Sequence, residues 1–101
     1  MRPLLLAVLA LGMVALVTPA YAAGDAAAGK AKAGACGTCH GPNGEGTAIG
    51  PKLAGEDQAK FVQALNDYKS GKTANSIMKS MAASLSDTDV ANLAAYYSAL
   101  R

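Results

Sequence analysis

The chain has 101 residues, 51% of them apolar, with four Tyr, one Phe and no Trp, and a formal net charge of +2. That length allows one domain with a thin core, which usually needs a metal, a disulfide or a cofactor as a staple. Charges of both signs are interspersed and no block of one sign occurs, which argues against nucleic acid as a partner.

Much of the apolar excess sits at the start. Arg2 is followed by Leu4 to Val17 without a charge, then Thr18-Pro19 and the small-residue site Ala20-Tyr21-Ala22. A positive start, an apolar core and an A-x-A site describe a secretory signal peptide over residues 1–22. The apolar run is shorter than the roughly 18 to 20 residues that span a bilayer, so it reads as a cleaved segment and not an anchor. Residues 23–101 are then one exported domain, expected in the periplasm and free of the membrane.

Asp25 is placed to cap a helix predicted from Ala26 to about Ala35, since Asp is a good N-cap and Ala the best helix former. Gly29 and Gly34 weaken that helix locally. It leads into Cys36-Gly37-Thr38-Cys39-His40, which holds both cysteines and the only histidine of the chain. Two thiols spaced by two residues, with a histidine directly after, are what covalent attachment of haem c requires. The thiols of Cys36 and Cys39 can add to the two vinyl groups on one edge of a porphyrin, and His40 is carried under the ring to the iron. A thioredoxin-like C-x-x-C needs a buried strand before it, and GDAAAGKAKAGA reads as helix. Structural zinc needs four ligands, and no second Cys pair or second His is present.

Gly41 to Gly55, GPNGEGTAIGPKLAG, is too rich in Gly and Pro for a regular element. A loop of that length in a small domain normally wraps something, and Ile49, Pro51 and Leu53 are its apolar members, suited to cover a haem face. Helical periodicity returns from Glu56 to Ser70, with Phe61, Val62, Leu65 and Tyr68 on one face and Gly71 as the stop. A further short helix is predicted from Ile77 to about Ser84. Ser86-x-x-Asp89 then makes a capping-box start to a last helix, whose inner face is Val90, Leu93, Ala94 and Tyr97, extended by Tyr96 and Leu100. No stretch alternates with period two. The reading is an all-α domain of about four short helices wrapped round one haem.

With a single histidine, a bis-histidine haem cannot be built from this chain alone. Met1 and Met13 leave with the signal peptide, so Met78 and Met81 remain as candidates for the second axial ligand. A thioether suits iron in this setting. The two residues are three apart and could face the same way on a helical turn, so spacing alone does not choose between them.

The order CGTCHGPNGEG, GPKLAG, an amphipathic helix, then NSIMKSMAASLSD leading into LAAYYSAL resembles class I cytochromes c. It is most similar to the short bacterial monohaem forms and to either half of the periplasmic dihaem cytochromes, over essentially all of residues 23–101. The resemblance implies a mostly α fold in which the first and last helices cross near one haem edge, with Gly29 meeting Leu93 and Tyr96 or Tyr97. It implies Cys36 and Cys39 as the thioether positions, His40 as an axial ligand, and Pro51 as the residue whose carbonyl accepts the second N–H of His40. The ligand methionine of such proteins usually lies seven residues before the Leu of a Leu-Ser-Asp helix start. Counted from Leu85, that favours Met78, with Met81 as second choice.

With both axial positions filled, the expected function is not enzymatic. It is one-electron transfer by a soluble periplasmic monomer, between a donor and an acceptor protein that the sequence does not name. Lys30, Lys32, Lys52, Lys60, Lys69, Lys72 and Lys79 are available to steer such partners. Two alternatives are a dedicated haem subunit of a periplasmic oxidoreductase complex and a haem sensor with a labile Met ligand.

Overall fold

A computed structural model of the chain describes residues 24–101 and Gly12. The signal peptide expected over residues 1–22, Gly12 apart, and its cleavage site fall outside the described residues. Among the described residues five helices follow one another: α1 (Ala26–Lys32), α2 (Gly34–His40), α3 (Gln58–Ser70), α4 (Ser76–Ala83) and α5 (Asp87–Ala99). Among the described residues there is no strand, and no helix is long and apolar enough to cross a membrane.

The caps expected from the sequence form. Asp25 accepts from the Ala27 and Ala28 N–H groups at 2.9 and 3.2 Å. The helix expected from Glu56 starts at Gln58 instead, because Asp57 caps it by accepting from the Lys60 N–H at 3.1 Å, and Gly71 ends it in the left-handed region, where a residue without Cβ is favoured. Ser86 and Asp89 form a reciprocal capping box, each bond 3.0 Å long. The helix α4 begins one residue before the apolar pattern does, because the Asn75 side chain accepts from the Met78 N–H at 3.0 Å.

The single helix expected from Ala26 to about Ala35 is instead two. At Ala33 the backbone takes φ −72° and ψ −8°, and its N–H is shared between the Gly29 and Lys30 carbonyls at 2.9 and 3.3 Å. Ala33 is itself a good helix former, so propensity does not make the break; the residue is buried in the core. Gly34, with no Cβ, follows as the first residue of α2. The five-residue motif therefore lies inside a helix of its own and is not merely delivered by one.

The core is small. Leu93 and Tyr97 are fully buried, joined by Ala33, Phe61, Leu65, Ala82, Val90 and Ala94. The Phe61 and Tyr97 rings stack with centroids 5.7 Å apart. The helices α1 and α5 cross at Gly29, where a Cβ would lie 2.0 Å from the Asn92 carbonyl oxygen and 2.9 Å from Tyr96 Cβ. That crossing therefore rests on the Asn92 backbone and Tyr96, with Leu93 in the core beside it. The Asp25 N–H donates to Asn92 Oδ1 at 2.8 Å and ties the start of α1 to α5. After α2 the chain doubles back on itself: Leu53 and Ala54 donate to the Gly44 carbonyl at 2.8 and 2.9 Å, and Gly55 to that of Tyr97 at 2.8 Å.

Candidate haem site

Cys36, Cys39 and His40 stand at i, i+3 and i+4 of α2, and such positions share one helix face. Neither thiol is in a disulfide, and both are half-buried. Burial pushes the Cys36 thiol above its ordinary pKa, with a hydrogen bond from Tyr97 opposing the shift. A protonated, half-buried thiol is unlike the exposed, electropositive thiolate of a redox C-x-x-C. The Tyr97 hydroxyl is pushed up as well, first by burial and then by Cys36.

His40 is 7% exposed, and its Nδ1 lies 2.7 Å from the Pro51 carbonyl oxygen. A carbonyl only accepts, so the shared proton is on Nδ1 and the Nε2 lone pair is left for a metal. The structure thus brings together His40 and Pro51, two residues that only family resemblance connected.

The loop is pressed onto the motif by a set of bonds that sequence reading missed. A helix leaves its last carbonyls without intrahelical partners. In α2 the Gly37 carbonyl accepts from the Gly41 N–H at 3.0 Å and the His40 carbonyl from the Gly46 N–H at 2.8 Å. The Cys39 carbonyl accepts from the Thr47 hydroxyl at 2.5 Å. A Cβ on Gly50 would lie 2.7 Å from the Cys39 oxygen and 2.9 Å from His40 Nδ1, so this contact excludes a side chain. The sequence-level signal was a hydroxyl residue within a Gly-rich turn, where Ser and Thr bond nearby backbone.

The two methionines lie on α4 and are treated differently. Met78 is half-buried and packs against the core cluster, whereas Met81 is 38% exposed. The helix α4 packs on α3 and α2 on α1, and α2 and α4 do not pack on each other. Lys69 Nζ donates to the Leu85 carbonyl at 2.5 Å, tying the end of α3 to the segment after α4. Of the loop's apolar members, Leu53 packs against the core, while Pro51 is exposed and Ile49 is 79% exposed. Two thiols on one helix face, an imidazole with a free Nε2 beside them and a thioether on a separate helix form a donor set that fits one haem c.

Comparison with known proteins bears out the resemblance. The family model described as cytochrome c matches residues 26–100. The chain is 46% identical over 90 residues to cytochrome c4 of Pseudomonas aeruginosa, covering 88% of this chain and 43% of that protein. It is 44% identical over 80 residues to cytochrome c-554(548) of Halomonas halodenitrificans, covering 75% of this chain and 96% of that one. The solved structure of Acidithiobacillus ferrooxidans cytochrome c4 matches with TM-score 0.71 at 31% identity, over 74% of this chain and 49% of that one. The chain therefore spans about half the length of the cytochromes c4 it matches, and c-554(548) is matched over nearly its whole length. On a family match that takes in every helix of the described residues, the chain belongs to the cytochrome c family, whose cofactor is covalently attached haem c, one for this single domain.

Proposed function

We propose that this chain is a periplasmic one-electron carrier, exported by a cleaved segment over residues 1–22 and folding as a haem domain over residues 23–101. When bound, the haem supplies an iron that changes by one electron between Fe(II) and Fe(III). Cys36 and Cys39 would hold it through thioether links, His40 through Nε2, and Met78 through its sulfur. The observation that carries this reading is the 2.7 Å contact of His40 Nδ1 with the Pro51 carbonyl. Such a contact fixes the tautomer, orients the ring and raises the basicity of the ligating nitrogen. The packing of Met78 against the core, beside the exposure of Met81, supports Met78 as the sixth ligand.

With His40 and Met78 both on the iron, substrates would be kept off it, and the protein would act as a carrier and not a catalyst. Its partners are redox proteins that meet it through small, short-lived interfaces. Exposed Lys79, next to Met78, is one charge placed to steer them.

Haem staining on a denaturing gel, with visible spectra of the oxidised and reduced mature protein, tests the reading. The stain is expected to travel with the polypeptide, and the reduced protein is expected not to bind carbon monoxide. Met78→Ala should lose the low-energy sulfur–iron band and admit carbon monoxide, while Met81→Ala should keep the band. The opposite result for the two variants overturns the ligand assignment, and stain lost from the polypeptide overturns covalent attachment.

A further inference from the structure

We propose that Thr47 is a positioning residue for the His40 ligand, holding the Pro51 carbonyl on His40 Nδ1 and so helping to set the reduction potential. This rests on the reading of His40 as an axial ligand and goes beyond it to the group that holds its partner in place. Segment 46–51 touches the end of α2 through three hydrogen bonds. The Gly46 N–H donates to the His40 carbonyl at 2.8 Å, the Thr47 hydroxyl to the Cys39 carbonyl at 2.5 Å, and His40 Nδ1 to the Pro51 carbonyl at 2.7 Å. Two of these start from or end on the His40 residue itself. The middle one is made by a side chain of the loop, and it is the one that a substitution of the loop can remove.

Thr47 also holds the turn between the first anchor and the last. Its Oγ1 accepts from the Ile49 N–H at 3.1 Å and the Gly50 N–H at 3.3 Å, and its own N–H donates to the Gly50 carbonyl at 2.8 Å. Gly50 is thus tied to Thr47 from both of its backbone polar groups, and Pro51 is the next residue. The residue is at the surface, yet its hydroxyl is engaged on three sides. One hydroxyl therefore links the motif's Cys39 to the peptide units that aim the Pro51 carbonyl. Moving that carbonyl away weakens the pull on the Nδ1 proton, makes the imidazole a poorer electron donor, and disfavours the ferric state.

The test uses haem-loaded mature protein. Thr47→Val keeps the shape and deletes the hydroxyl; Thr47→Ser keeps the hydroxyl. Thr47→Val is expected to raise the midpoint potential, shifting the oxidised-to-reduced ratio at fixed ambient potential by about threefold, less than loss of an outer-shell partner itself gives because Thr47 acts through Pro51. Exchange of the His40 Nδ1 proton, followed by NMR in the reduced state, is expected to quicken by about threefold or more. Thr47→Ser should restore both. A Thr47→Val protein that is merely less stable, with potential and proton exchange unchanged, overturns the proposal. If Thr47→Val yields no haem protein, Thr47→Ala against Thr47→Ser carries the same comparison. Gly50→Ala, which leaves the hydroxyl intact and pushes on Cys39 and His40 sterically, adds a second handle; no shift in it also overturns the lever. Failure of haem attachment or of His40 ligation in the unaltered protein instead overturns the electron-carrier reading, so the two failures are distinct.

Discussion

Gly29 decides how closely the first and last helices of this domain approach. Two effects of Gly29→Ala oppose each other. Alanine favours a helix interior over glycine by about 1 kcal/mol. Its Cβ, however, would sit 2.0 Å from a backbone oxygen of Asn92, and backbone cannot swing aside as the end of a flexible side chain can. Overpacking of this kind costs about 1–3 kcal/mol, and the clash with main chain places the variant at the unfavourable end, so sterics win. The expected outcome is a net loss of about 2 kcal/mol in denaturant unfolding of the haem-loaded protein. Gly34→Ala is the internal control: nothing lies within 4 Å of its added Cβ, and a gain of about 0.5 kcal/mol is expected. Equal midpoints for the two variants would show that the α1–α5 crossing has slack.

At the scale of an element, the start of α5 carries a pH dependence. Asp89 is held below its ordinary carboxyl value of 3.8, chiefly by the Ser86 backbone N–H, with further help from the Ser86 hydroxyl and Lys32. Lys32 Nζ lies 3.7 Å from its carboxylate, a largely exposed pair of little worth by itself, but it joins the end of α1 to the start of α5. A pKa lowered by folding means that the group adds stability above its unfolded value and loses it as pH falls through its folded value. Wild type should therefore exceed Asp89→Asn in thermal midpoint at neutral pH, and the gap should close as the solution is acidified below roughly pH 4. A gap that persisted at low pH would mean that the carboxylate charge is not what the cap uses.

This cap was legible in the sequence because both of its partners lie within one turn. The break at Ala33 was not, since alanine is a good helix former and Gly34 beside it marks only a local weakening. The bonds of Lys69 to Leu85 and Asp25 to Asn92 join residues 16 and 67 positions apart, and no local pattern announces them, while Thr47 in its Gly-rich turn signalled a backbone bond but not Cys39 as its partner. Pro51 contributes a carbonyl, which every residue has, so only resemblance could single it out. Cys36, Cys39 and His40 were legible because thiol and imidazole chemistry is peculiar to those side chains.

For the whole molecule, the question is what holds so small a core. Its buried cluster includes three alanines, Ala33, Ala82 and Ala94, so few large side chains carry the apolar burial. Those large residues, Phe61, Leu65, Val90, Leu93 and Tyr97, all belong to α3 and α5. The other end is different. The helix α2 and the loop after it are joined largely by backbone hydrogen bonds, with Thr47 exposed and Ile49 79% exposed. Solvent competes with the exposed bonds of the turn at Thr47 and Ile49, so that part of the fold has the lower local stability. A covalent cofactor held, as proposed, through residues 36, 39 and 40 would act on the weak end, which is where a staple adds most. Cys36→Ala/Cys39→Ala, made without covalent haem, should therefore lose structure unevenly. Amide exchange in α5 is expected to remain slowed, at least around Leu93 and Tyr97, while Gly46, Thr47 and Ile49 exchange as fast as unfolded chain. Two outcomes would contradict this division: a loop that stays protected in the double variant, or an α5 that melts together with the loop in a single transition.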